Sequence, residues 1–282
     1  MEAERMPEHK ETDTFAALEK REWAKVDVAQ SYAHVFAKAA DMVVPYLVEA
    51  VSAKLGTKAL DLCCGHGNVA SGLIRAGAQV TGLDFSAPML EMARSAVPGA
   101  EFVEGDAMAL SFDDGSFDAV TIGFGLPHVP DPRQVIEEAH RVLHPGGRLA
   151  FSVWCGPEVD TALGYVFGAI GEYGSKKVAL PPGPGANDYA DPSLAFKVLE
   201  TAGFTDCRQC MVASEWHVTD PGAPYDFFLE GTARGGALLR PQPTENATAI
   251  RAAVVSKVLE KHGTGPEWRV PIPAVVTSAV AV

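Results

Sequence analysis

The chain has 282 residues, of which 47% are hydrophobic, and a formal net charge of −13. This length suits one large α/β domain with insertions, or two small domains. So acidic a chain lacks the basic face that nucleic-acid binding normally needs, and no uninterrupted apolar run is long enough to span a bilayer. We therefore expect neither a nucleic-acid partner nor a membrane partner.

The start of the chain and its cysteines bear on location. The opening stretch MEAERMPEHKETD is charged and has no apolar core, so a secretory signal peptide is not expected. Five cysteines occur at irregular spacing, and the C-x-x-C pair of Cys207 and Cys210 has no second pair to complete a zinc site. The pattern predicts no metal site and a reducing, cytoplasmic environment. It gives no indication of the oligomeric state.

The amino-terminal part of the chain divides into two segments. Residues 1–14 are polar and are predicted to be flexible, and residues 15–282 are predicted to form a single domain. Between 15 and 53 apolar side chains recur at helical spacing, as at Tyr32, Val35 and Phe36. These helices precede the first strand, so we expect them to cover its carboxyl end.

A strand and a glycine turn open the central segment, residues 54–154. The run KALDLCCGHG, from Lys58 to Gly67, is apolar at first and then turns at Gly65 and Gly67, where the backbone can come close to a ligand. Strand, turn and helix in this order begin a doubly wound sheet, whose ligands lie beyond the carboxyl ends of the strands.

Strands and helices continue to alternate through this segment, which predicts an α/β fold with a mostly parallel sheet between two layers of helices. Helices are predicted to begin at Ser86 and at Asp131, the second with Gln134 placed for a capping box. The further predicted strands are Gln79 to Asp84, Glu101 to Asp106, Phe117 to Ile122 and Arg148 to Trp154.

The rest of the chain is less regular. Residues 155–190 are predicted to be a loop-rich insertion and residues 219–270 a largely helical one, both on the substrate side. Thr205 to about Val218 is predicted to be a single strand. The apolar tail from Val270 to Val282 is predicted to be a last, buried strand.

Three successive strands end in acids: Asp61, Asp84 and Asp106. Because parallel strands end at one edge, the acids should line one crevice and favour a cationic ligand rich in hydrogen-bond donors. Asp84 lies where an acid accepts from ribose hydroxyls, Asp106 could accept from an exocyclic amine, and Asp61 could accept from an ammonium group. S-adenosylmethionine meets all three demands.

Two alternative functions fit the same residues. The spacing Gly65-x-Gly67-x-x-Ala70 also matches a dinucleotide fingerprint, which would make the protein an NAD-dependent oxidoreductase. Asp61 opposes this interpretation, because it would repel a pyrophosphate at the helix amino terminus. A non-catalytic nucleotide-binding partner protein is the other alternative.

Four segments together resemble class I S-adenosylmethionine-dependent methyltransferases, especially those of ubiquinone and menaquinone biosynthesis. They are LDLCCGHGN, VTGLDFSAPMLEMA, FVEGDAMALSFDDGSFDAVTIGFGLPHVPDP and HRVLHPGGRL, in family order, within about residues 58 to 154. The resemblance implies a Rossmann-like seven-stranded sheet with an antiparallel last strand. It also implies a small-molecule methyl acceptor.

The resemblance also implies roles for individual residues. Asp61 and the turn of Cys63, Cys64, Gly65 and Gly67 would hold the methionine part of the cofactor. Asp84 would bind the ribose, Phe85 and Met89 would pack on the adenine, and Asp106 with the Ala107 amide would read the edge of the adenine. Tyr32 is predicted to cover the sulfonium, and Gly123 completes the predicted cofactor-binding set.

The chain departs from the family pattern at two places. Cys63 stands where most members have glycine, which is expected to narrow the turn. Pro127-His128 stands where the quinone enzymes have Arg-Asn, which argues against a quinone acceptor.

Aromatic residues outside the core predict an apolar or planar acceptor. The predicted substrate-binding residues are Phe36, Trp154, Tyr189, Trp216, Phe227 and Phe228. His128 follows the fourth strand at the edge of the crevice and is the candidate general base, since an unperturbed imidazole titrates near neutrality. The alternative interpretation is that His128 is a loop residue without a chemical role, because the sequence shows no carboxylate that would orient its ring.

Overall fold

The structure is a computed structural model that describes residues 14–282. All but the last residue of the segment predicted to be flexible lies outside the described residues. The strands are β1 (Lys58–Leu62), β2 (Gln79–Asp84), β3 (Glu101–Glu104), β4 (Phe117–Gly123), β5 (Leu143–Trp154), β6 (Phe204–Val212), β7 (Glu215–Val218), β8 (Trp268–Pro271) and β9 (Ala274–Ala281).

Helices fill most of the connections between these strands. They are α1 (Phe15–Trp23), α2 (Val26–Ser31), α3 (Ala37–Asp41), α4 (Val44–Ala50), α5 (Asn68–Arg75), α6 (Ala87–Ala96), α7 (Pro132–Val142), α8 (Ala162–Tyr173), α9 (Pro192–Thr201), α10 (Ala223–Gly231), α11 (Ala233–Leu239) and α12 (Thr244–His262). A π-helical turn, Tyr32–Phe36, joins α2 to α3. No described helix is both long and apolar enough to cross a membrane.

A seven-stranded sheet in the order β3-β2-β1-β4-β5-β9-β6 forms the centre. Strands β1 to β5 pair in parallel, and β9 runs antiparallel to both β5 and β6. This confirms the predicted doubly wound, mostly parallel sheet and its antiparallel last strand. The strand order reverses between β1 and β4, and ligands of such sheets bind at this switch point.

Helices cover both faces of the sheet because its strands are apolar on both faces. Neighbouring residues such as Ala59 and Leu60, or Ala119 and Val120, belong to two different buried clusters. Successive side chains of a strand point to opposite faces, so these clusters lie on opposite sides of the sheet.

The helix starts follow the capping residues expected from the sequence. Ser86 accepts from the Met89 amide at the start of α6, and Asp131 accepts from the Arg133 and Gln134 amides at the start of α7. The predicted capping box at Gln134 is wrong, since its side chain instead donates to the Met108 carbonyl at 2.8 Å. That bond ties α7 to the loop after β3.

The predicted strand boundaries in the irregular part were wrong in two places. The segment up to Val218 is two strands, because β6 ends at Val212 and β7 pairs with β8 in a separate two-stranded sheet. The tail likewise divides into β8 and β9. The segment that follows β6 and the segment that precedes β9 leave the large sheet side by side. Ser214 and Ile272 join them by two hydrogen bonds of 2.9 and 2.7 Å. The insertion 155–190 contains the twelve-residue helix α8, capped by Thr161.

Candidate active site

The turn after β1 adopts a left-handed backbone at Cys63 (φ 53°), Gly65 (φ 53°) and Gly67 (φ 86°). The side chain of Cys63 fits because Gly125, opposite it, has none: a Cβ on Gly125 would overlap Cys63. Burial, and then the nearby acids, raise the pKa of the Cys63 thiol well above its usual value. The thiol therefore stays protonated and is a poor nucleophile.

Asp61 does not lie where the sequence predicted. Its side chain is fully buried, and it accepts from the Ala70 amide at 3.0 Å and from the Thr121 hydroxyl at 2.9 Å. Ala70 is in the first turn of α5, whose N-cap Gly67 has no side chain to cap the helix. Asp61 therefore caps α5 from beneath and has no surface for the methionine part of a cofactor. It also occupies the helix amino terminus that a pyrophosphate would need.

A cavity of about 740 Å³, here called the outer cavity, lies beyond the carboxyl ends of β1, β2 and β3. Helix α1 contributes Ala16, Glu19 and Lys20 to its lining, and the C-cap residue Ala24 follows them. The predicted site residues that line it are Cys63, Asp84, Phe85, Asp106, Ala107 and His128.

Asp84 is the most constrained acid of this cavity. Its two oxygens accept from the Gly65 and Ser86 amides, each at 2.8 Å, and it is 8% exposed. Burial raises its pKa above the usual value, although the amides of Ser86 and Gly65 act against burial by stabilising the charged form. Each oxygen keeps a second lone pair, so the carboxylate can still accept from a diol.

Asp106 and Ala107, in the loop after β3, also line the outer cavity. Asp106 is exposed and accepts from the Met108 amide at 2.9 Å, which orients its carboxylate. Ala107 is buried, and no described residue accepts from its amide. A carboxylate acceptor beside a vacant amide donor fits the edge of an adenine. The cavity therefore suits the adenosine half of S-adenosylmethionine.

A second, inner cavity of about 70 Å³ shares the predicted residues Cys63, Asp84, Phe85 and His128 with the outer one. Its further lining includes the predicted residues Tyr32, Cys64, Gly65, Met89 and Gly123. Met89 was predicted to pack on the adenine. It lines this inner cavity and belongs to a small buried cluster with Trp23 and Val28.

An aromatic wall bounds the inner cavity. Edge-to-face contacts join His128 to Trp23 (ring centroids 5.3 Å apart), Trp23 to Tyr32 (5.4 Å) and Tyr32 to His66 (5.9 Å). Phe124, with a left-handed backbone (φ 59°), lies at the same cavity. Nδ1 of His66 is buried without a hydrogen-bond partner among the described residues.

Gly67 lines neither cavity. A Cβ there would crowd Ala93 and Val97 of the α6 region at 3.2 and 3.3 Å. This glycine serves the turn and its packing, and the structure does not bring it to a ligand.

None of the six aromatic residues predicted to bind the substrate lines either cavity. Phe36 is 2% exposed and is the centre of a packed cluster. Its ring lies 5.9 Å from Trp154, 4.9 Å from Trp216 and 5.2 Å from Phe228.

The other two aromatic side chains are packed as well. Phe227 packs on Trp216, with ring centroids 5.1 Å apart. Tyr189 lies 6.1 Å from Phe151, in the separate core on the other face of the sheet. These aromatic residues stabilise the fold, and neither insertion contributes a lining residue to the two cavities.

His128 lines both cavities and has a buried carboxylate partner. Its Nδ1 lies 2.9 Å from Oε2 of Glu19, which is 1% exposed. The same Oε2 accepts from the indole of Trp23 at 3.0 Å, and Oε1 accepts from Arg234 at 3.0 Å. Burial raises the pKa of Glu19, but His128 and Arg234 outweigh it and hold the pKa below its usual value. No described residue bonds to Nε2 of His128.

Glu19, Trp23 and Arg234 were missed by the sequence analysis. A signal was present for the first, because Phe15, Leu18, Glu19, Glu22 and Trp23 form one buried stripe of α1. Two acids on an apolar stripe indicate buried partners. No local pattern marks Arg234, which is 215 positions from Glu19.

The comparisons with known proteins agree with this geometry. Residues 60–151 match the model of a family described as a methyltransferase domain. A demethylmenaquinone methyltransferase of Staphylococcus epidermidis is 46% identical over 108 residues, which are 36% of this chain and 45% of the relative. The chain thus spans less than half the length of this curated relative.

Two solved structures share the fold over most of the chain. The 4+2 cyclase SpnF has a TM-score of 0.57 at 20% identity, over 96% of this chain and 98% of that one. A phosphoethanolamine N-methyltransferase 2 of Haemonchus contortus has a TM-score of 0.56 at 17% identity, over 95% of this chain and 60% of that one. At these identities the likeness concerns the fold alone.

The seven-stranded, mostly parallel sheet is a Rossmann-like fold, which this chain shares with these solved structures. Within it, residues 60–151 are a methyltransferase domain of the S-adenosylmethionine-dependent type. This confirms the resemblance found in the sequence.

Proposed function

We propose that the protein transfers a methyl group from S-adenosylmethionine to a small-molecule acceptor. The observation that carries this proposal is the convergence of Asp84, Asp106 and Ala107 on the outer cavity of a methyltransferase domain. Asp84 would accept from the ribose hydroxyls, Phe85 would pack on the adenine, and Asp106 with the Ala107 amide would read its edge. The alternatives, an NAD-dependent oxidoreductase and a non-catalytic nucleotide-binding protein, find no support among the relatives.

The methyl-transfer end lies at the inner cavity in this proposal. When bound, S-adenosylmethionine supplies the methyl group as an electrophile, so the protein's task is largely to position the acceptor. The turn of Cys63, Cys64 and Gly65 would hold the methionine part. Tyr32 and Gly123 border the same space, and Tyr32 would cover the sulfonium and exclude water.

The acceptor is proposed to be an apolar or aromatic molecule. Three aromatic side chains, Trp23, Tyr32 and Phe124, support this proposal in place of the six that the sequence suggested. An aromatic wall packs on a planar ring in edge-to-face or offset geometry. The helices of residues 15–53 form the cover, and the insertion 219–270 supports it through α11.

His128 is proposed to remove a proton from an acceptor that must lose one. Glu19 bonds to Nδ1, so Nε2 is the nitrogen left to take the proton. A buried carboxylate on Nδ1 fixes the tautomer and orients the ring, as in other histidine–carboxylate pairs. Such a base typically contributes about 10²- to 10⁴-fold.

Calorimetry tests the cofactor assignment. The unmodified protein should bind S-adenosylhomocysteine and not NAD, and Asp84→Ala should bind it at least about tenfold more weakly, because hydrogen bonds to a charged group are lost. Asp118→Ala is a matched control, since this exposed carboxylate also accepts a backbone amide, that of Lys58 at 2.8 Å, away from the cavities. Unchanged affinity in Asp84→Ala would refute the assignment.

A second experiment identifies the acceptor. Phenols, quinols, amines and thiols are offered with S-adenosylmethionine, and products are examined for the gain of one methyl group. A cytoplasmic location, a single domain over residues 15–282 and the absence of a nucleic-acid partner stay predictions of the sequence.

A further inference from the structure

The guanidinium of Arg234 joins four segments of the chain. Its side chain, on α11, is 11% exposed and bonds to Glu19 through Nε at 3.0 Å. Its two terminal nitrogens donate to the carbonyls of Pro184, at 3.0 Å, and of Pro127. The guanidinium carbon also lies 4.6 Å from the ring centroid of Phe15.

Two of these contacts flank His128. Pro127 directly precedes it, so one nitrogen of Arg234 holds the backbone that carries the imidazole. Glu19 is bound by Arg234 through Oε1 and faces Nδ1 of the imidazole with Oε2. A rigid, planar guanidinium thus fixes both the backbone and the ring partner of one side chain.

We propose that Arg234 is a positioning residue, which holds His128 in place by binding Glu19 and the Pro127 carbonyl at the same time. The proposal rests on the proposed function, because His128 is the base there. Arg234 itself reaches neither cavity.

The charged groups around His128 explain how Arg234 acts on the imidazole. Glu19 faces it from α1, Asp84 lies at the end of β2, and the thiol of Cys63 shares both cavities. Arg234 is the cation bound to Glu19 at hydrogen-bond distance. Without that cation, Glu19 would present an uncompensated negative charge to the ring of His128.

The same two helices provide a matched control. Arg240, directly after α11, pairs with Glu22 of α1 at 2.7 Å, and Glu22 is buried like Glu19. Arg240 bonds to no residue of the loop that carries His128; its other bond is to the Glu230 carbonyl at 3.5 Å. Removal of Arg240 therefore weakens the attachment of α1 and leaves His128 alone.

The experiment compares Arg234→Gln, Arg234→Lys and Arg240→Gln. The titration of the His128 ring proton is followed by NMR in the ligand-free protein, with His128→Gln used for assignment. Arg234→Gln should raise the midpoint of this titration by about one pH unit, the size expected from loss of one nearby charge. Arg234→Lys should leave the midpoint near its original place, and Arg240→Gln should not move it.

Turnover provides the second measurement once an acceptor is in hand. Arg234→Gln should lower kcat about tenfold at neutral pH and recover part of it at higher pH, with the acceptor KM little changed. Arg234→Lys should also lower kcat, because an ammonium cannot bind Glu19 and the Pro127 carbonyl in the same fork geometry. Affinity for S-adenosylhomocysteine should stay unchanged in all three variants.

The outcomes separate the two proposals. Equal effects of Arg234→Gln and Arg240→Gln, or an unmoved His128 titration in Arg234→Gln, would overturn the role of Arg234. Should neither Arg234 variant fold, the Nε–H signal of Arg234 in the unmodified protein decides, because it must shift with the same midpoint as His128. Full activity of His128→Gln would instead refute the base assignment, and failure to bind S-adenosylhomocysteine would refute the proposed function.

Discussion

The replacement Asp61→Asn separates a structural role of this residue from a ligand-binding one. Asp61 is fully buried between the Ala70 amide and the Thr121 hydroxyl. Asparagine can keep both bonds, since its oxygen can accept from the amide and its nitrogen can donate to a rotated hydroxyl. The replacement therefore removes the charge and leaves the capping geometry of α5 in place.

The charge of Asp61 makes stability depend on pH. Burial raises the pKa of Asp61 from its ordinary 3.8 to about 7 in the folded protein, against the opposing bonds from Thr121 and Ala70. Between these values the folded state binds one proton more than the unfolded state, so the free energy of unfolding falls as pH rises. Integrated from about pH 5 to about pH 8, this single group removes roughly 2 to 3 kcal/mol.

Urea unfolding, followed by tryptophan fluorescence at both pH values, measures the effect. Other titrating groups are common to both proteins, so the difference between them isolates Asp61. The unmodified protein should lose roughly 2 to 3 kcal/mol more than Asp61→Asn between the two pH values. Affinity for S-adenosylhomocysteine should stay within about threefold. Equal pH dependence in both proteins would refute the buried charge, and a large loss of affinity at unchanged stability would show that Asp61 contacts the ligand.

Three further predictions concern packing around the site. Gly125→Ala should lower the free energy of unfolding by about 1 to 3 kcal/mol, and adding Cys63→Gly should restore it in a double-mutant cycle, because the added methyl overlaps Cys63. Phe36→Ala should cost about 3 to 5 kcal/mol in urea unfolding and leave S-adenosylhomocysteine affinity intact; an unchanged stability would argue against a core role. Burial lowers the pKa of His66, so the free energy of unfolding should fall as the pH drops below the usual histidine range. His66→Phe should lessen that fall. An identical pH profile in the variant would contradict this prediction.

The fold could be predicted because its signals are local. Strands β1 to β4 each end in an acid or a glycine or run into a glycine turn. Ser86, Asp131 and Asp191 cap the following helices within three residues. Residues within one strand or one helix start depend on their sequence neighbours. The order of the elements then leaves few possible topologies.

The irregular part could not be predicted in the same way. The end of β6 at Val212 depends on the bonds between Ser214 and Ile272, which are 58 positions apart in the chain. The positions of aromatic side chains were also hard to predict from the sequence. Phe36 and Tyr32 lie in one helical turn with the same spacing signal, yet one fills a core and the other faces a cavity. The sequence pattern is equal for both, and only the three-dimensional packing distinguishes them.

Long-range charge pairs attach helix α1, which lines the outer cavity, to the α11 region. Helix α1 presents two buried acids, Glu19 and Glu22, and each is bound by an arginine of the α11 region. Each acid has a second partner as well, His128 for Glu19 and Lys25 for Glu22. Because Glu19 is also the partner of His128, the attachment of the cover and the orientation of the candidate base share one carboxylate. Replacement of Glu19 should therefore affect both the attachment of α1 and the orientation of His128.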